Sequence, residues 1–212
     1  VDIGKPGQNE VLVKNLSIGI NYIDTYHRSG LYPIPLPSGI GLEACSIIEE
    51  VGSEVKLFKV GDRVTRASMP IGTYSEKQII PEDKLVKVPD NISDEVASCI
   101  TLKGITAEYL LHRTYQVKKG DKILYHAAAG ALGQIFCPWA NALGAEIIGT
   151  VGSDEKIEIA KKNGCHHVIN YNEKNFVEEV EKIAGKNGLD VVYDGVGAKT
   201  FEGSIEVLKV RG

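Results

Sequence analysis

The chain has 212 residues, of which 43% are hydrophobic and 25% charged, a composition that fits one large or two modest packed domains and argues against a disordered chain. Its formal net charge of −4 leaves no broad positive surface, which argues against nucleic acid or an anionic membrane as a partner. No apolar run approaches the roughly 18 residues of a membrane span. The four cysteines are far apart and no signal peptide is apparent, so we expect a cytoplasmic protein with reduced thiols.

The first 90 residues contain short runs rich in β-forming residues, separated by turn-forming glycine and proline. This pattern predicts a small, antiparallel, barrel-like domain. The predicted strands lie within EVLVKN, SIIEEVG, DRVTRA and YSEKQII.

A helical pattern of apolar residues begins after Ser93, which is a suitable N-cap residue followed by two acidic residues in the first turn. Gly104 lies within this pattern, and glycine is a poor helix former. The sequence therefore predicts two helices, divided at Gly104.

Strand and helix patterns alternate four times after Lys119. Such βα repeats are typical of a parallel sheet covered by helices on both faces. The sequence thus predicts an α/β protein in which a β-rich domain precedes a doubly wound parallel sheet of about four strands. The predicted strands lie within KILYHA, EIIGTV, HHVINY and LDVVYDGV.

The turn after the first of these strands, in YHAAAGALG, places Ala128-x-Gly130-x-x-Gly133 where a dinucleotide-binding domain has GxGxxG. There the second glycine lets the backbone approach a pyrophosphate, and the third lets the helix pack against the strand. Ala128 departs from the pattern, so a simple packing turn is the alternative. The four βα repeats around the turn favour dinucleotide binding.

These residues, together with NYIDTYHRSGLYP, LPSGIGLEA, VGDRV, LKGITAEYLL, IIGTVGSDEK, VINY and VVYDGVG, resemble the zinc-independent, zeta-crystallin-like quinone oxidoreductases of the medium-chain dehydrogenase/reductase superfamily. The resemblance implies a GroES-like catalytic domain over residues 1–103 and a Rossmann domain over residues 104–212. It also implies NADPH as hydride donor, a small-molecule quinone as substrate, and a homodimer for the full-length protein. The family pattern continues with two further strands, so we expect a fragment or a truncated gene product.

Zinc alcohol dehydrogenases of the same superfamily are an alternative, but their catalytic metal needs thiolate and imidazole ligands. Where those relatives have their first cysteine and a Gly-His-Glu sequence, this chain has Asn21 and Gly41-Leu42-Glu43. Leucine cannot bind zinc, so we expect no metal. The histidines His112, His126, His166 and His167 are interpreted as strand-end or surface residues, and His27 is the one near the predicted pocket.

By resemblance, the block from Tyr22 to Tyr26 lines the nicotinamide end of the cofactor, and Asn21 and Tyr26 act as neutral donors toward the substrate carbonyl. The alternative is a strand-to-loop transition in which the tyrosines pack and Asp24 caps a turn. The residues that the resemblance assigns to the cofactor are Tyr22, Ile23, Asp24, Thr25, Tyr26, Tyr109, Gly130, Ala131, Leu132, Gly152, Ser153, Lys156, Tyr171 and Val196.

The choice between NADPH and NADH is made after the second strand of the parallel sheet, where NAD enzymes usually have an acidic residue for the ribose 2′-hydroxyl. Ser153 can donate to a 2′-phosphate there and Lys156 can neutralise it, which favours NADPH. Asp154 and Glu155 are close by. We interpret these two as first-turn residues of a helix that Ser153 caps.

The sequence therefore predicts an NADPH-dependent quinone reductase that uses no metal. An enoyl or enone reductase of the same superfamily is the second enzymatic possibility, since it uses the same hydride. A non-catalytic cofactor-binding or structural role is the third.

Overall fold

The computed structural model describes residues 3–212; Val1 and Asp2, the first residues of the predicted N-terminal domain, lie outside the described residues. The chain divides into two compact units, unit 1 (Val1–Leu102) and unit 2 (Lys103–Gly212). Within residues 3–212, no helix has the length and apolar character needed to cross a bilayer.

Unit 1 is built on a five-stranded antiparallel sheet, which confirms the predicted β-rich domain. The order of the strands in the sheet is β4-β1-β2-β3-β5. The strands are β1 (Glu10–Gly19), β2 (Glu43–Val51), β3 (Arg63–Ala67), β4 (Lys77–Pro81) and β5 (Val86–Lys87).

Buried side chains at the start of β1 explain its place inside this sheet, between β4 and β2. Val11 and Val13 are almost completely buried and belong to one apolar cluster, whose other members on strands are Ile48 of β2, Val64 of β3 and Ile80 of β4. A helix of eight residues, α1 (Tyr22–Ser29), follows β1 directly. The sheet therefore fixes the start of the segment in which the sequence predicts substrate contacts.

The long helix α2 (Asp94–Tyr109) begins as predicted, because the Ser93 hydroxyl accepts a hydrogen bond of 3.3 Å from the backbone of Val96. The predicted break at Gly104 is wrong, since the helix runs through this residue without interruption. Glycine costs only about 1 kcal/mol in a helix interior. Burial of Ala97 and Ala107 on either side outweighs that cost, and the helix changes to a π-helical turn only at Leu110–Thr114.

Unit 2 contains the predicted parallel sheet of four strands, in the order β8-β7-β6-β9. Each strand is followed by a helix, which confirms the four βα repeats. The elements are β6 (Lys122–Tyr125), α3 (Gly133–Ala142), β7 (Glu146–Val151), α4 (Ile157–Lys162), β8 (His167–Asn170), α5 (Phe176–Ala184), β9 (Val191–Tyr193) and α6 (Phe201–Glu206).

Both faces of this sheet are covered by apolar side chains. Ile123 and Tyr125 of β6 pack on one face with Phe136 of α3, whereas Leu124 packs on the other face with Val180 of α5. Successive residues of a strand point to opposite faces, so the uninterrupted apolar run of β6 reflects burial on both sides. All four strands end at the same edge of the sheet, because they are parallel.

The ring of Phe136 should be one of the largest single contributions to the stability of unit 2, because it is fully buried and stacks on Tyr125 at a centroid distance of 4.4 Å. We expect Phe136→Ala to lower the free energy of unfolding by about 3 to 5 kcal/mol. Phe201, which is 60% exposed, is the matched control, and its replacement by alanine should change stability by less than about 1 kcal/mol. Urea denaturation of the three proteins measures this, and equal losses for the two variants would contradict the packing described.

Candidate cofactor and substrate sites

The alanine-rich turn joins β6 to α3. A 2.8 Å hydrogen bond from the backbone N–H of Gly130 to the carbonyl of Ala127 closes the turn. The left-handed conformation falls on Ala127, with φ of 57°, and Ala128 does not share it. Alanine is therefore tolerated in the first position of the motif, where the side chain of Ala128 is fully buried.

Gly133 is the first residue of α3 and lies directly against Ala128. A Cβ atom at Gly133 would overlap the carbonyl oxygen of Ala128 and come within 2.7 Å of its carbonyl carbon, so only glycine fits without movement of the backbone. At Gly130 a Cβ atom would lie 3.0 Å from the carbonyl oxygen of Ala127. The turn thus has the tight strand-to-helix packing of a dinucleotide-binding motif. The N–H groups of residues 134–136 donate to carbonyls of the turn, whereas those of residues 131–133 make no hydrogen bond among the described residues and are available to an anion.

The end of β7 carries the residues that the sequence assigns to the adenosine part of the cofactor. A Cβ atom at Gly152 would lie 3.0 Å from the hydroxyl of Tyr171, so this glycine and this tyrosine are direct neighbours. The Asn172 side chain donates a 2.7 Å hydrogen bond to the carbonyl of Gly152. Lys156 is exposed, and within residues 3–212 no carboxylate lies within ion-pair distance of its ammonium group. The positive charge of Lys156 is therefore available to a bound anion.

Ser153 takes the predicted N-cap position, but it does not make a capping hydrogen bond. It precedes a 3₁₀ turn (Asp154–Lys156), and α4 begins only at Ile157. Asp154 lies in the first turn as predicted, and its carboxylate also accepts a 2.8 Å hydrogen bond from Asn170 at the end of β8. The reason is that β7 and β8 are neighbours, so a side chain from the end of β8 reaches the turn after β7.

A row of hydrogen-bonded polar side chains lies along the same edge of the sheet, and it was not predicted from the sequence. His126, only 2% exposed, follows β6, and its ring nitrogens lie 2.8 Å from the hydroxyl of Thr150 and 3.0 Å from that of Ser204. Ser204 donates a 2.8 Å hydrogen bond to Asp194, which follows β9. The signal was present in the sequence, because His126, Thr150 and Asp194 all lie at carboxyl ends of predicted parallel strands.

Asp194 holds the turn that contains Val196. One carboxylate oxygen accepts hydrogen bonds of 2.9 Å from the backbone N–H groups of Val196 and Gly197 and from the hydroxyl of Thr200. Burial alone would raise the pKa of Asp194, but these hydrogen bonds and the one from Ser204 outweigh it and lower the pKa below its ordinary value. The single hydroxyl proton of Ser204 is directed to two acceptors, Asp194 and the Thr200 carbonyl, both at 2.8 Å, so the facing ring nitrogen of His126 must donate to Ser204. In a neutral imidazole the other ring nitrogen then accepts from Thr150.

Burial lowers the pKa of His126, and the nearby Asp194 charge only partly opposes this effect. As pH falls through the ordinary histidine pKa of about 6.5, the unfolded chain therefore binds a proton that the folded chain does not, and stability falls. We expect His126→Gln to flatten the decline in unfolding free energy between pH 7.5 and 5.5. Urea denaturation across this range tests the prediction, with the exposed His112→Gln as control. An unchanged slope in His126→Gln would contradict the prediction, because it would show that His126 has the same pKa in the folded and unfolded chains.

The substrate block in unit 1 is the helix α1, in place of the loop that the alternative interpretation expected. Asp24 caps it: its carboxylate accepts hydrogen bonds from the backbone of Asn21 at 2.9 Å and from the hydroxyl of Tyr74 at 3.0 Å, and Asp24 is 3% exposed. The rings of Tyr22 and Tyr26 lie edge to face at 5.8 Å, and Tyr22 is 80% exposed. A pair of aromatic rings with an open face is thus available to a flat molecule.

The positions that hold zinc in related dehydrogenases carry a different set of groups here. The Asn21 amide donates a 2.9 Å hydrogen bond to Glu43, which is fully buried, and Leu42 is buried beside it. Cys45 lies further along β2, and burial, followed by its hydrogen bond to Asp94, raises its pKa to about 11, so it is a neutral thiol. The amide of Asn21 and the alkyl group of Leu42 supply neither the thiolate nor the imidazole that zinc dehydrogenases use at these two positions.

The predicted site residues fall into two groups, one in each unit. Unit 1 contains Asn21 and the block from Tyr22 to Tyr26 on α1. The others lie in unit 2, at the turns after β6, β7, β8 and β9, except Tyr109, which ends α2. The structure thus gathers all but one of the unit 2 residues at one edge of the parallel sheet.

Two domain families match the chain. The alcohol dehydrogenase GroES-like domain matches residues 7–90, and the zinc-binding dehydrogenase family matches residues 131–212. The chain is 48% identical to a 2-haloacrylate reductase from Burkholderia and 49% identical to a quinone oxidoreductase from Pseudomonas aeruginosa, matching 100% and 98% of its own length. A crystal structure of Escherichia coli quinone oxidoreductase complexed with NADPH superposes on the whole chain with a TM-score of 0.97 and 49% identity.

The chain covers 66% of the length of the Burkholderia protein, 64% of the Pseudomonas protein and 65% of the Escherichia coli structure. Within that length, the antiparallel unit 1, the parallel unit 2 and the glycines of the alanine-rich turn all agree with the resemblance drawn from the sequence. The two matched domains, in this order, place the chain in the medium-chain dehydrogenase/reductase superfamily, and its similarity to quinone oxidoreductases extends along its whole length.

Proposed function

We propose that the protein to which this chain belongs is an NADPH-dependent quinone reductase that transfers a hydride without a metal ion. The observation that carries this proposal is the pair of side chains found in unit 1 where related dehydrogenases have zinc ligands. Asn21 and Leu42 stand at the zinc positions, and they adjoin a helix that presents aromatic rings. A quinone needs no Lewis acid, because it is already a strong electrophile. Orientation and neutral hydrogen-bond donors are sufficient for its reduction.

The residues of unit 2 fit NADPH. In this proposal the turn from Gly130 to Gly133, with Ala131 and Leu132, binds the pyrophosphate through backbone N–H groups. Lys156, Ser153 and Tyr171 bind the 2′-phosphate beside Gly152. The turn that Asp194 holds presents Val196 to the cofactor, and Tyr109 contributes from the end of α2. When bound, NADPH supplies a hydride from C4 of its nicotinamide ring.

The residues of unit 1 orient the quinone in this proposal. The block from Tyr22 to Tyr26 lines the nicotinamide end, and the Tyr26 hydroxyl and the Asn21 amide donate hydrogen bonds to the carbonyl oxygen that gains charge. An amide has two N–H groups. One N–H group of Asn21 binds Glu43, which fixes the orientation of the side chain and leaves the other N–H group for the substrate. Tyr26 packs between Tyr22 and Tyr32, at centroid distances of 5.8 and 5.2 Å.

Reduction of an activated carbon–carbon double bond is the second candidate function. It is favoured by the similarity to the Burkholderia protein, which is named as a 2-haloacrylate reductase and matches the whole chain. The same hydride would attack the β-carbon of an acrylate or enone, and the α-carbon would then need a proton. A proton donor is the additional requirement, and Tyr26 is the residue of this chain that we propose for it.

Steady-state NADPH oxidation by the full-length protein tests the proposed function. We expect a planar quinone to be reduced faster than an enone or a 2-haloacrylate, and an aldehyde to be reduced slowest, with no effect of a metal chelator. Faster turnover of an aldehyde that is lost on chelation would contradict the proposal. Faster turnover of the haloacrylate would favour the second candidate. Cofactor binding without any turnover would favour a non-catalytic role.

We further propose that the full-length protein is a cytoplasmic homodimer. The four cysteines are free thiols, which suits a reducing compartment. Cys137 and Cys165 lie buried in the same apolar cluster and form no disulfide. Light scattering of the full-length protein tests the dimer.

A further inference from the structure

We propose that Asn170 determines cofactor specificity by holding the Asp154 carboxylate away from the 2′-phosphate position. This inference rests on the proposed NADPH function and deepens it. Asp154 lies two residues before Lys156, in the turn after β7 where a carboxylate would repel a 2′-phosphate. Its presence there is the main argument in the sequence against NADPH, and the contact with Asn170 removes that argument.

The orientation of the Asn170 amide follows from its contacts. Its carbonyl oxygen accepts a hydrogen bond of 3.1 Å from the backbone N–H of Asn172, so the NH₂ group must point the other way. There it donates a 2.8 Å hydrogen bond to the Asp154 carboxylate. Asn170 is only 8% exposed, so the side chain has little freedom to turn. Asparagine is the residue that can make both contacts at once, because it carries an acceptor and a donor on one short planar group.

The charged groups near Asp154 indicate how ligand binding would change if Asn170 no longer held its carboxylate. Lys156 has no carboxylate partner within residues 3–212, although Asp154 is two residues away. Without Asn170, the Asp154 carboxylate would be free to turn toward the Lys156 ammonium or toward a ribose 2′-hydroxyl. Both movements would weaken a 2′-phosphate ligand and leave a ligand with a free 2′-hydroxyl unaffected or better bound.

Two small ligands isolate this effect from the rest of the cofactor. Adenosine 2′,5′-bisphosphate carries the 2′-phosphate, whereas adenosine 5′-monophosphate has a hydroxyl in the same place. Isothermal titration of the purified chain with each ligand, at fixed ionic strength, gives the ratio of their dissociation constants. We expect Asn170→Ala to reduce the preference for the bisphosphate by roughly 5- to 20-fold, the effect of one nearby charge in a partly screened setting.

Neutralisation of Asp154 separates a charge effect from damage to the turn. We expect the double variant Asn170→Ala/Asp154→Asn to regain the wild-type preference, although the turn still lacks Asn170. Asp154→Asn alone should change the preference by less than about 3-fold, because the charge is already turned away. This single variant keeps the hydrogen bond to Asn170, so it tests the proposal even where Asn170→Ala does not fold.

The outcomes that overturn the proposal are distinct. An unchanged preference in Asn170→Ala, or a loss that Asp154→Asn does not restore, would show that Asn170 acts through the fold of the turn. A large gain in preference for Asp154→Asn alone would show that its charge already faces the phosphate. A wild-type chain with no preference for the bisphosphate would overturn both this inference and the proposed use of NADPH.

Discussion

Replacement of Gly133 by alanine is expected to abolish detectable NADPH binding and to lower the free energy of unfolding by about 2 to 3 kcal/mol. The added Cβ atom would overlap the backbone carbonyl of Ala128, and a backbone group cannot move aside as the end of a flexible side chain can. Relief of the overlap requires α3 to shift away from β6. The N–H groups at the start of α3, which we propose as pyrophosphate donors, would shift with it.

Gly104→Ala is the matched control for this prediction. Gly104 also lies in a helix, but among the described residues no atom outside the adjacent residues and the backbone of this helix lies within 4 Å of a Cβ atom placed there, so alanine should raise stability by up to about 1 kcal/mol. NADPH fluorescence titration and urea denaturation of both variants give the two measurements. Normal cofactor binding in Gly133→Ala would contradict the assignment of this turn to the pyrophosphate.

Removal of the Lys156 ammonium group is expected to weaken NADPH by roughly 5- to 100-fold and to leave NADH almost unchanged. Only the 2′-phosphate of NADPH carries charge that the ammonium can meet. Lys156 is exposed and has no carboxylate partner among the described residues, so its loss as Lys156→Ala should leave no buried charge behind. Parallel titrations with NADPH and NADH at one ionic strength measure the difference, because the contact is sensitive to salt.

Lys162→Ala is the control for net charge, since Lys162 is an exposed lysine at the end of α4. It should leave both cofactors unaffected. Equal losses of NADPH and NADH in Lys156→Ala would mean that Lys156 acts through the fold. Ser153→Ala should weaken NADPH less than Lys156→Ala does, and it should not lower stability, because Ser153 makes no capping hydrogen bond.

The order of strands and helices was predictable because each depends on local patterns. Three such features were predicted from the sequence and confirmed: the apolar run of β6, the Ser93 cap and the four βα repeats. The continuity of α2 through Gly104 was not predictable in the same way. It depends on burial of Ala97 and Ala107, which only the packed structure reveals.

The candidate site likewise combines features that could be predicted from local sequence with features that depend on the folded structure. The glycines of the alanine-rich turn were identified from their spacing, whereas the partner of Asp154 was not, because Asn170 is 16 residues away in sequence. The hydrogen bonds that link His126 to Asp194 pass through Ser204, which is 78 residues away from His126 in sequence. Side chains at the carboxyl ends of adjacent parallel strands meet regardless of sequence distance, so such contacts require the strand order, which spacing alone does not supply.

Titration of the purified wild-type chain with NADPH and with NADH, followed by cofactor fluorescence, tests the central claim most directly. We expect saturable binding of both, with NADPH bound at least about 10-fold more tightly because Lys156 and Ser153 meet the 2′-phosphate while Asn170 holds Asp154. Absence of binding at any accessible concentration would contradict the assignment of the sheet edge to a dinucleotide. Tighter binding of NADH would contradict the assignment of the 2′-phosphate site and would make Asp154 the ribose ligand.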